Sequence, residues 1–379
     1  MQIKHLSFDG ALADYELQAA HLYEGWKSGD PAAAGIFRAK HPLFLDEKVP
    51  WLSKNQTHSE ILAANLDPSG ARLALARFYD FRDWSAVEAY VHSLADPGVR
   101  RFEAAIEATI DGDAPELSAL IAEDPALPNA RSRRITHFDP PLHRATLLHY
   151  LAANGVENYR QRTPANAVEI AGILLRAGAD PNAVAHLYGG ECTVMSMLAS
   201  SSHPANAGVQ VALIHKLVDF GAAVDAPGAG TGTSPLFTAL VFGFTDAAEA
   251  LVERGAKFET LAAAAGLGRL EVARRLLAAS DPEERHRALA LAAQTGQTEC
   301  VRLLLDAGED PNRFNPKGTH AHSTPLHQAA LRGHAAVVRL LVEHGARTDI
   351  RDAIYRGTPL GWAEHAGHTA VADYLGSLS

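Results

Sequence analysis

The sequence is poor in cysteine, and its basic side chains are fewer than its acidic ones. Only Cys192 and Cys300 occur among 379 residues, which excludes a disulfide scaffold and a four-cysteine zinc module and is typical of a reducing compartment. The 34 Lys and Arg residues are outnumbered by 44 Asp and Glu residues, so the formal net charge is −10. This charge argues against binding a phosphate backbone through overall electrostatics, and we expect no nucleic-acid partner.

Long apolar runs and enzyme motifs are also absent from the sequence. No stretch approaches the roughly 20 apolar residues that span a bilayer, and the first residues, MQIKHLSFDG, contain no apolar core of a secretory signal. We therefore expect a cytoplasmic protein without membrane contact. The sequence contains no G-x-S-x-G, no H-E-x-x-H and no glycine-rich phosphate loop, so we predict no catalytic residue and no cofactor.

A repeated pattern is present in the C-terminal part of the sequence. From Thr324, the residues Thr-Pro-Leu-His-Gln-Ala-Ala lead to Gly333, an apolar run and Gly345, and the pattern starts again at Thr358, 34 residues later. Threonine can cap the N-terminus of a first helix, proline suits the position after it, and glycine suits a left-handed turn after a second helix. In this order and spacing, the residues resemble the ankyrin repeat.

Weaker copies extend the pattern towards the N-terminus and give about eight repeats over residues 101–379. Their helix starts are assigned to Thr146, Thr193, Ser234 and Arg287. The resemblance implies an all-α solenoid of stacked helix pairs joined by short β-hairpin fingers. It also implies a protein-binding module or scaffold, in which a concave surface of fingers and first helices meets another protein.

The first 98 residues show helical patterns without a clean repeat. Apolar residues along 12–26 suit an amphipathic helix, and the aromatic segment 78–84 is similar to the leader of many bacterial ankyrin proteins. A solenoid leaves an apolar end exposed. We therefore predict that residues 1–98 form an N-terminal helical cap, with diverged repeats as the other interpretation, and that the ankyrin domain spans 101–379.

Changes in repeat length indicate where the array is irregular. Gly155 to Gly178 takes 23 residues where Gly333 to Gly345 takes 12, which places an insertion near 156–166, and a second insertion lies near 203–209. Because neighbouring repeats stack, we expect the two insertions to form one lobe. Its members would be Tyr159, Arg160, Arg162 and His203.

A connection is shortened in the middle of the array. The next helix start after Gly255 is assigned to Lys257, and so short a connection has no room for a finger. The connection from Ala278 to Arg287 is also short. This pattern predicts a notch or a hinge in the row of fingers. The irregular central repeats are also where the alternative function would lie, that of an enzyme or a metal-dependent small-molecule binder.

Most of the 19 histidines favour structural roles. His149 and His327 occupy the helix-start position where ankyrin histidines form structural hydrogen bonds. His320 and His322 are the best candidate metal pair, but no third ligand is evident, so no metal site is predicted. Cys300 is expected in the core. The basic run 131–134 could meet an acidic partner, but we interpret it as solvated surface.

We predict a monomer that binds a protein of unknown identity through finger tips and first helices. Arg and Tyr are the residues that often dominate interface energies. The predicted contacts are Tyr188, Phe314, His320, His322, Gln328, Arg351, Tyr355, Arg356 and Glu364.

Overall fold

The structure, a computed structural model, describes residues 3–226 and 234–378. Over these residues it contains 22 α-helices and one two-stranded antiparallel hairpin. The chain divides into two compact units, Met1–Val209 and Gln210–Ser379. None of the helices in the described ranges combines the length and the apolar character that a membrane crossing requires.

The first unit contains eleven helices and the hairpin. They are α1 Leu12–Lys27, α2 Pro31–Lys40, α3 His58–Leu62, α4 Pro68–Phe78, α5 Trp84–Ser93, α6 Pro97–Asp111, α7 Ala114–Glu123, α8 Leu147–Ala152, α9 Ala167–Arg176, β1 Val184–Leu187, β2 Gly190–Thr193, α10 Val194–Ser200 and α11 Ser202–Asn206.

The second unit consists of helices alone over its described residues. They are α12 Gln210–Asp219, α13 Pro235–Val241, α14 Thr245–Glu253, α15 Leu261–Gly266, α16 Leu270–Leu277, α17 Pro282–Thr295, α18 Thr298–Asp306, α19 Pro325–Leu331, α20 Ala335–Glu343, α21 Pro359–His365 and α22 Thr369–Gly376. The predicted all-α class of paired helices is therefore confirmed.

The repeat residues act locally as their chemistry predicts. The Oγ1 of Thr324 lies 2.8 Å from Nδ1 of His327, and Nε2 of His327 donates to the carbonyl oxygen of Gly357, in the following connection. Thr146 and His149 form the same cap in the first unit. The glycines after the second helices have φ between 84° and 98°, the left-handed region that favours glycine. They are Gly178, Gly221, Gly255, Gly308 and Gly345.

Two predicted helix starts in the middle of the second unit are wrong. The helix expected from Lys257 begins at Leu261, because the side chain of Thr260 caps it. The helix expected from Arg287 begins at Pro282, because Asp281 accepts the backbone N–H of Glu284 and proline occupies the first turn. The connection after Gly255 is still short, and α17 is one of the longest helices of the unit.

Two contacts bridge elements on either side of the shortened connection, where a notch or a hinge was predicted. The imidazole of His320 donates from Nε2 to the carbonyl oxygen of Val241, 3.0 Å away, and the guanidinium of Arg332 donates to the carbonyl oxygen of Phe242. The turn after α13 thus contacts the long finger before α19. Five helices, α14 to α18, separate these elements in the sequence, and the short connection after Gly255 lies among them.

The first insertion packs elsewhere than predicted. The buried guanidinium of Arg160 lies 2.8 Å from Glu103 and 2.9 Å from Glu107, both on α6. The ring of Tyr159 stacks on His5. These contacts join Arg160 to α6, which presents a row of carboxylates, and Tyr159 to the N-terminal segment. They differ from the predicted lobe with His203.

The basic run 131–134 is only partly solvated. Arg134 is buried, its guanidinium lies 3.9 Å from the centre of the Phe81 ring, and it donates to the hydroxyl of Tyr159 and to the carbonyl oxygen of Tyr79. The interpretation of Arg134 as solvated surface is wrong. A guanidinium can be buried here because aromatic faces and hydrogen-bond acceptors surround it.

Candidate protein-binding surface

The finger between α20 and α21 is organised by one carboxylate. Oδ1 of Asp352 accepts the backbone N–H groups of Ile354 and Tyr355, and Oδ2 accepts the N–H of Gly357 at 2.7 Å and Nε1–H of Trp362 at 3.1 Å. Burial alone would raise the pKa of Asp352, but these hydrogen bonds outweigh it and the pKa is lowered. The carboxylate therefore stays ionised and holds the finger in one shape.

Tyrosine and arginine side chains project from this ordered finger. The side chain of Tyr355 is 56% exposed, and Arg351 and Arg356 are exposed on either side of it. A guanidinium nitrogen of Arg351 donates to the carbonyl oxygen of Arg356 at 2.8 Å, and within the described residues the other guanidinium donors form no further hydrogen bond. The finger thus presents two cations and an aromatic ring with little conformational freedom to lose on binding.

The preceding finger continues the same surface. The backbone N–H of Ala353 donates to the carbonyl oxygen of His322 at 2.8 Å, and the His322 ring lies 6.0 Å from Tyr355 and 5.8 Å from Trp362. Phe314 is partly exposed, and its carbonyl oxygen accepts Nε2–H of His286. Neighbouring fingers are therefore joined through backbone and ring contacts.

The two histidines of this finger do not form a metal site. Their ring centres lie 6.0 Å apart, and Nε2 of His320 is engaged by the carbonyl oxygen of Val241. Burial lowers the pKa of both His320 and His322. Within residues 3–226 and 234–378, no group of three or more His, Cys, Asp or Glu side chains is placed to hold a metal ion.

The three remaining predicted contacts differ in their exposure and position. Gln328 is only 2% exposed and donates from Nε2 to the hydroxyl of Ser323. The prediction of Gln328 as a contact is therefore wrong, because its side chain is buried under the finger. Glu364 is exposed on α21. Tyr188 lies in the first unit, at the tip of the β1–β2 hairpin, and its hydroxyl donates to Oδ1 of Asn154.

Comparison with known proteins identifies the family. A model described as ankyrin repeats, three copies, matches residues 257–315 and 314–378. The chain is 38% identical over 126 residues to human cyclin-dependent kinase 4 inhibitor B, a match that covers 32% of this chain and 88% of that protein. The chain belongs to the ankyrin repeat family.

Other ankyrin proteins are similar over shorter shares of the chain. Human cyclin-dependent kinase inhibitor 2A is 37% identical over 119 residues, which cover 30% of this chain and 74% of the relative. Mouse ankyrin repeat and SAM domain-containing protein 6 is 39% identical over 69 residues, or 18% of this chain and 8% of the relative. The ankyrin assignment made from the repeat residues is confirmed.

Two residues of this ankyrin surface were missed by sequence reasoning. Trp362 stands four residues after its threonine, the same place that Gln328 has in the preceding repeat, and comparing the two positions could have found it. Asp352 is followed by Tyr355 and Gly357, whose N–H groups it accepts. A short carboxylate side chain before a turn is a known local acceptor, but the turn itself is not evident from the spacing.

The cysteines lie within the packed part of both units. Both Cys192 and Cys300 are buried, and burial raises the pKa of Cys300 to about 11. Nucleophilic chemistry at neutral pH requires a thiolate, so Cys300 acts as a core residue. This agrees with the prediction made for it.

Proposed function

We propose that the protein is a binding module for another protein and that the fingers and first helix of its last two repeats form the contact surface. The observation that carries this proposal is the finger held by Asp352, which presents Arg351, Tyr355 and Arg356 together. Ordered cations beside an exposed aromatic ring suit an interface with few, strong contacts.

The family relationship supports a protein as the partner. The relatives at 37% and 38% identity are named as inhibitors of cyclin-dependent kinases, and inhibitors of enzymes act by binding a protein. The match covers about a third of this chain, so the proposal extends to protein binding and not to a kinase. We further propose that the protein acts in the cytoplasm and as a monomer.

The charge of the surface favours a particular kind of partner. The chain carries a net charge of −10, yet this finger exposes two arginines. We infer that the partner surface carries carboxylates opposite Arg351 and Arg356, because guanidinium groups pair with them in a bidentate geometry. Such binding would weaken with rising salt concentration.

The test is affinity capture from the native host, followed by identification of the captured proteins. Wild-type protein is compared with a variant that carries Arg351→Ala, Tyr355→Ala and Arg356→Ala. The control carries Arg274→Ala and Arg302→Ala, which remove two exposed cations from second helices. The proposal expects a partner that the wild type and the control capture and the triple variant does not, while all three proteins melt at similar temperatures. A partner that the triple variant captures as well as the wild type would contradict it.

A further inference from the structure

The first unit contains a cleft of about 600 Å³. The proposed protein-binding surface lies in the second unit, so the cleft is a different site. Its walls come from the end of α2 and the loop after it, the loop 137–140, the first insertion and the β1–β2 hairpin. Clefts of roughly 300–1,000 Å³ are the usual size for small ligands or a few peptide residues. The volume therefore suits a compact occupant rather than a folded domain.

The mouth of the cleft is aromatic. Trp51 is 71% exposed and Tyr188 is 62% exposed, the highest values among the large apolar side chains of the described residues, and both line this cleft. Below them the wall includes the apolar side chains of Val156 and Leu187. Aromatic rings left in water at the mouth of an apolar cleft are typical of a binding site.

The hairpin holds Tyr188 at this position at a cost to the backbone. Tyr188 and Gly189 form the tip, with φ of 52° and 76°. Glycine adopts this left-handed region readily, whereas a tyrosine there is strained. The hydroxyl of Tyr188 donates to Asn154, which fixes the ring at the mouth of the cleft.

One carboxylate beside the cleft is fully engaged by donors. The buried Asp80 accepts the backbone N–H of Asn158 at 2.7 Å and its Nδ2–H at 3.1 Å. His137 Nε2 lies 3.2 Å and Lys40 Nζ 3.4 Å from its Oδ1. The ammonium of Lys40 offsets the charge of Asp80. The carboxylate that lines the cleft itself, Asp139, is exposed to water, which screens its charge.

A cation that is not fully hydrogen-bonded within the described residues also lines the cleft. Arg77 is half-buried, and within the described residues its Nε has no hydrogen-bond partner. The carboxylate whose charge acts on it, Asp83, is paired with Arg82 at 2.8 Å. Burial lowers the pKa of Arg77, but from a value so high that it stays charged. A half-buried charge is stabilised by a ligand of opposite sign.

We propose that this cleft binds an anion that carries an aromatic or aliphatic body. The carboxylate would pair with Arg77, and the body would lie against Trp51 and Tyr188. Two sources share this chemistry: a free aromatic acid, and the C-terminal carboxylate of a peptide that ends in an apolar residue. The inference does not rest on the proposed protein-binding surface, which lies in the other unit.

Titration calorimetry on the full chain tests the proposal with four probes. They are 2-naphthylacetate, its neutral amide, a blocked tripeptide that ends in phenylalanine with a free carboxylate, and the amide of that tripeptide. At least one acid should bind about tenfold more tightly than its amide, because a charge-assisted pair is lost in the amide. The tighter acid identifies the source. Failure of both acids to bind, or equal binding of acid and amide, would overturn the proposal.

Three variants locate the binding. Arg77→Gln should reduce the affinity of the acid about tenfold, to the level of the amide. Trp51→Ala, at an exposed position where folding is not at risk, should reduce the affinity of both acid and amide several-fold. Arg38→Gln is the matched control, because it removes one exposed cation of α2 that does not line the cleft. Binding that neither Arg77→Gln nor Trp51→Ala weakens would contradict the assignment to this cleft.

Discussion

The buried ion pair of the first insertion allows a quantitative test of how the first unit is held together. In Arg160→Met, Glu103 keeps the hydrogen bond from the Tyr90 hydroxyl but loses its cation while it stays buried. Removing one partner of a buried pair costs about 3–5 kcal/mol. Nη1 of Arg160 has no partner in the described part of the chain, so the arginine is not fully satisfied and we expect a loss of about 3 kcal/mol, at the lower end.

Arg162 provides the matched control two residues further on. It pairs with Glu107 and Asp111, but its side chain is 41% exposed. An exposed pair of this kind contributes about 0–1 kcal/mol, so Arg162→Met should change the free energy of unfolding little. The two substitutions delete the same chemical group, and they differ in burial and in the carboxylates that they leave behind.

Urea unfolding, followed by circular dichroism and tryptophan fluorescence, measures both variants. Trp26 and Trp84 lie in the first unit and report on its transition. Adding Glu103→Gln to Arg160→Met should recover part of the loss, because it removes the stranded charge. If Arg160→Met loses no more free energy than Arg162→Met, or if Glu103→Gln rescues nothing, the insertion is not held by this buried pair.

Three further predictions concern the repeats. Gly333→Ala should lower the free energy of unfolding by about 1–3 kcal/mol, more than Gly345→Ala. Both glycines have positive φ, but only at Gly333 would an added Cβ lie 2.6 Å from a ring nitrogen of His368. Equal losses in chemical denaturation would refute this reason. The pKa of His149 is lowered to about 4 from 6.5 because burial disfavours the cation, so stability should fall by about 3 kcal/mol as pH drops from 6.5 to 4; His149→Gln should show a smaller fall between pH 7 and 4.5, and an unchanged fall would contradict this. Asp352→Asn should weaken partner capture, since an amide cannot accept all four N–H groups that the carboxylate accepts; capture equal to wild type would show that the finger needs no such support.

The repeats could be predicted because their signals are local. A cap such as Thr324, with the glycines at fixed distances after it, determines a helix start and a turn from neighbouring residues alone. The same reasoning failed where a different cap was used. Asp281 and Pro282 begin α17 as a threonine and proline would, and aligning Arg287 with the threonine of other repeats obscured it.

The arrangement of the first unit could not be predicted because its contacts join distant parts of the sequence. Asp80 meets Asn158 78 positions away, and Arg160 meets Glu103 57 positions away. Neither pair leaves a periodic pattern. Charged residues such as Arg134 and Arg160 are usually exposed, so their burial follows from partners that only the folded chain brings together.

Part of the candidate surface could also be predicted from the sequence. Exposed Arg351, Tyr355 and Arg356 follow from the position of a finger in a repeat, and the structure shows all three exposed. The burial of Gln328 follows from its bond to Ser323, which depends on the path of the long finger. Finger paths are set by local hydrogen bonds such as those of Asp352, and repeat spacing does not encode them.

Hydrogen–deuterium exchange of the protein with its captured partner tests the central claim most directly. The account predicts slower exchange on binding in the fingers around 314–322 and 351–357 and in α21, with no change in the second helices α20 and α22. Protection confined to α20 and α22, or spread without preference over the repeats, would contradict a contact surface made of fingers and first helices.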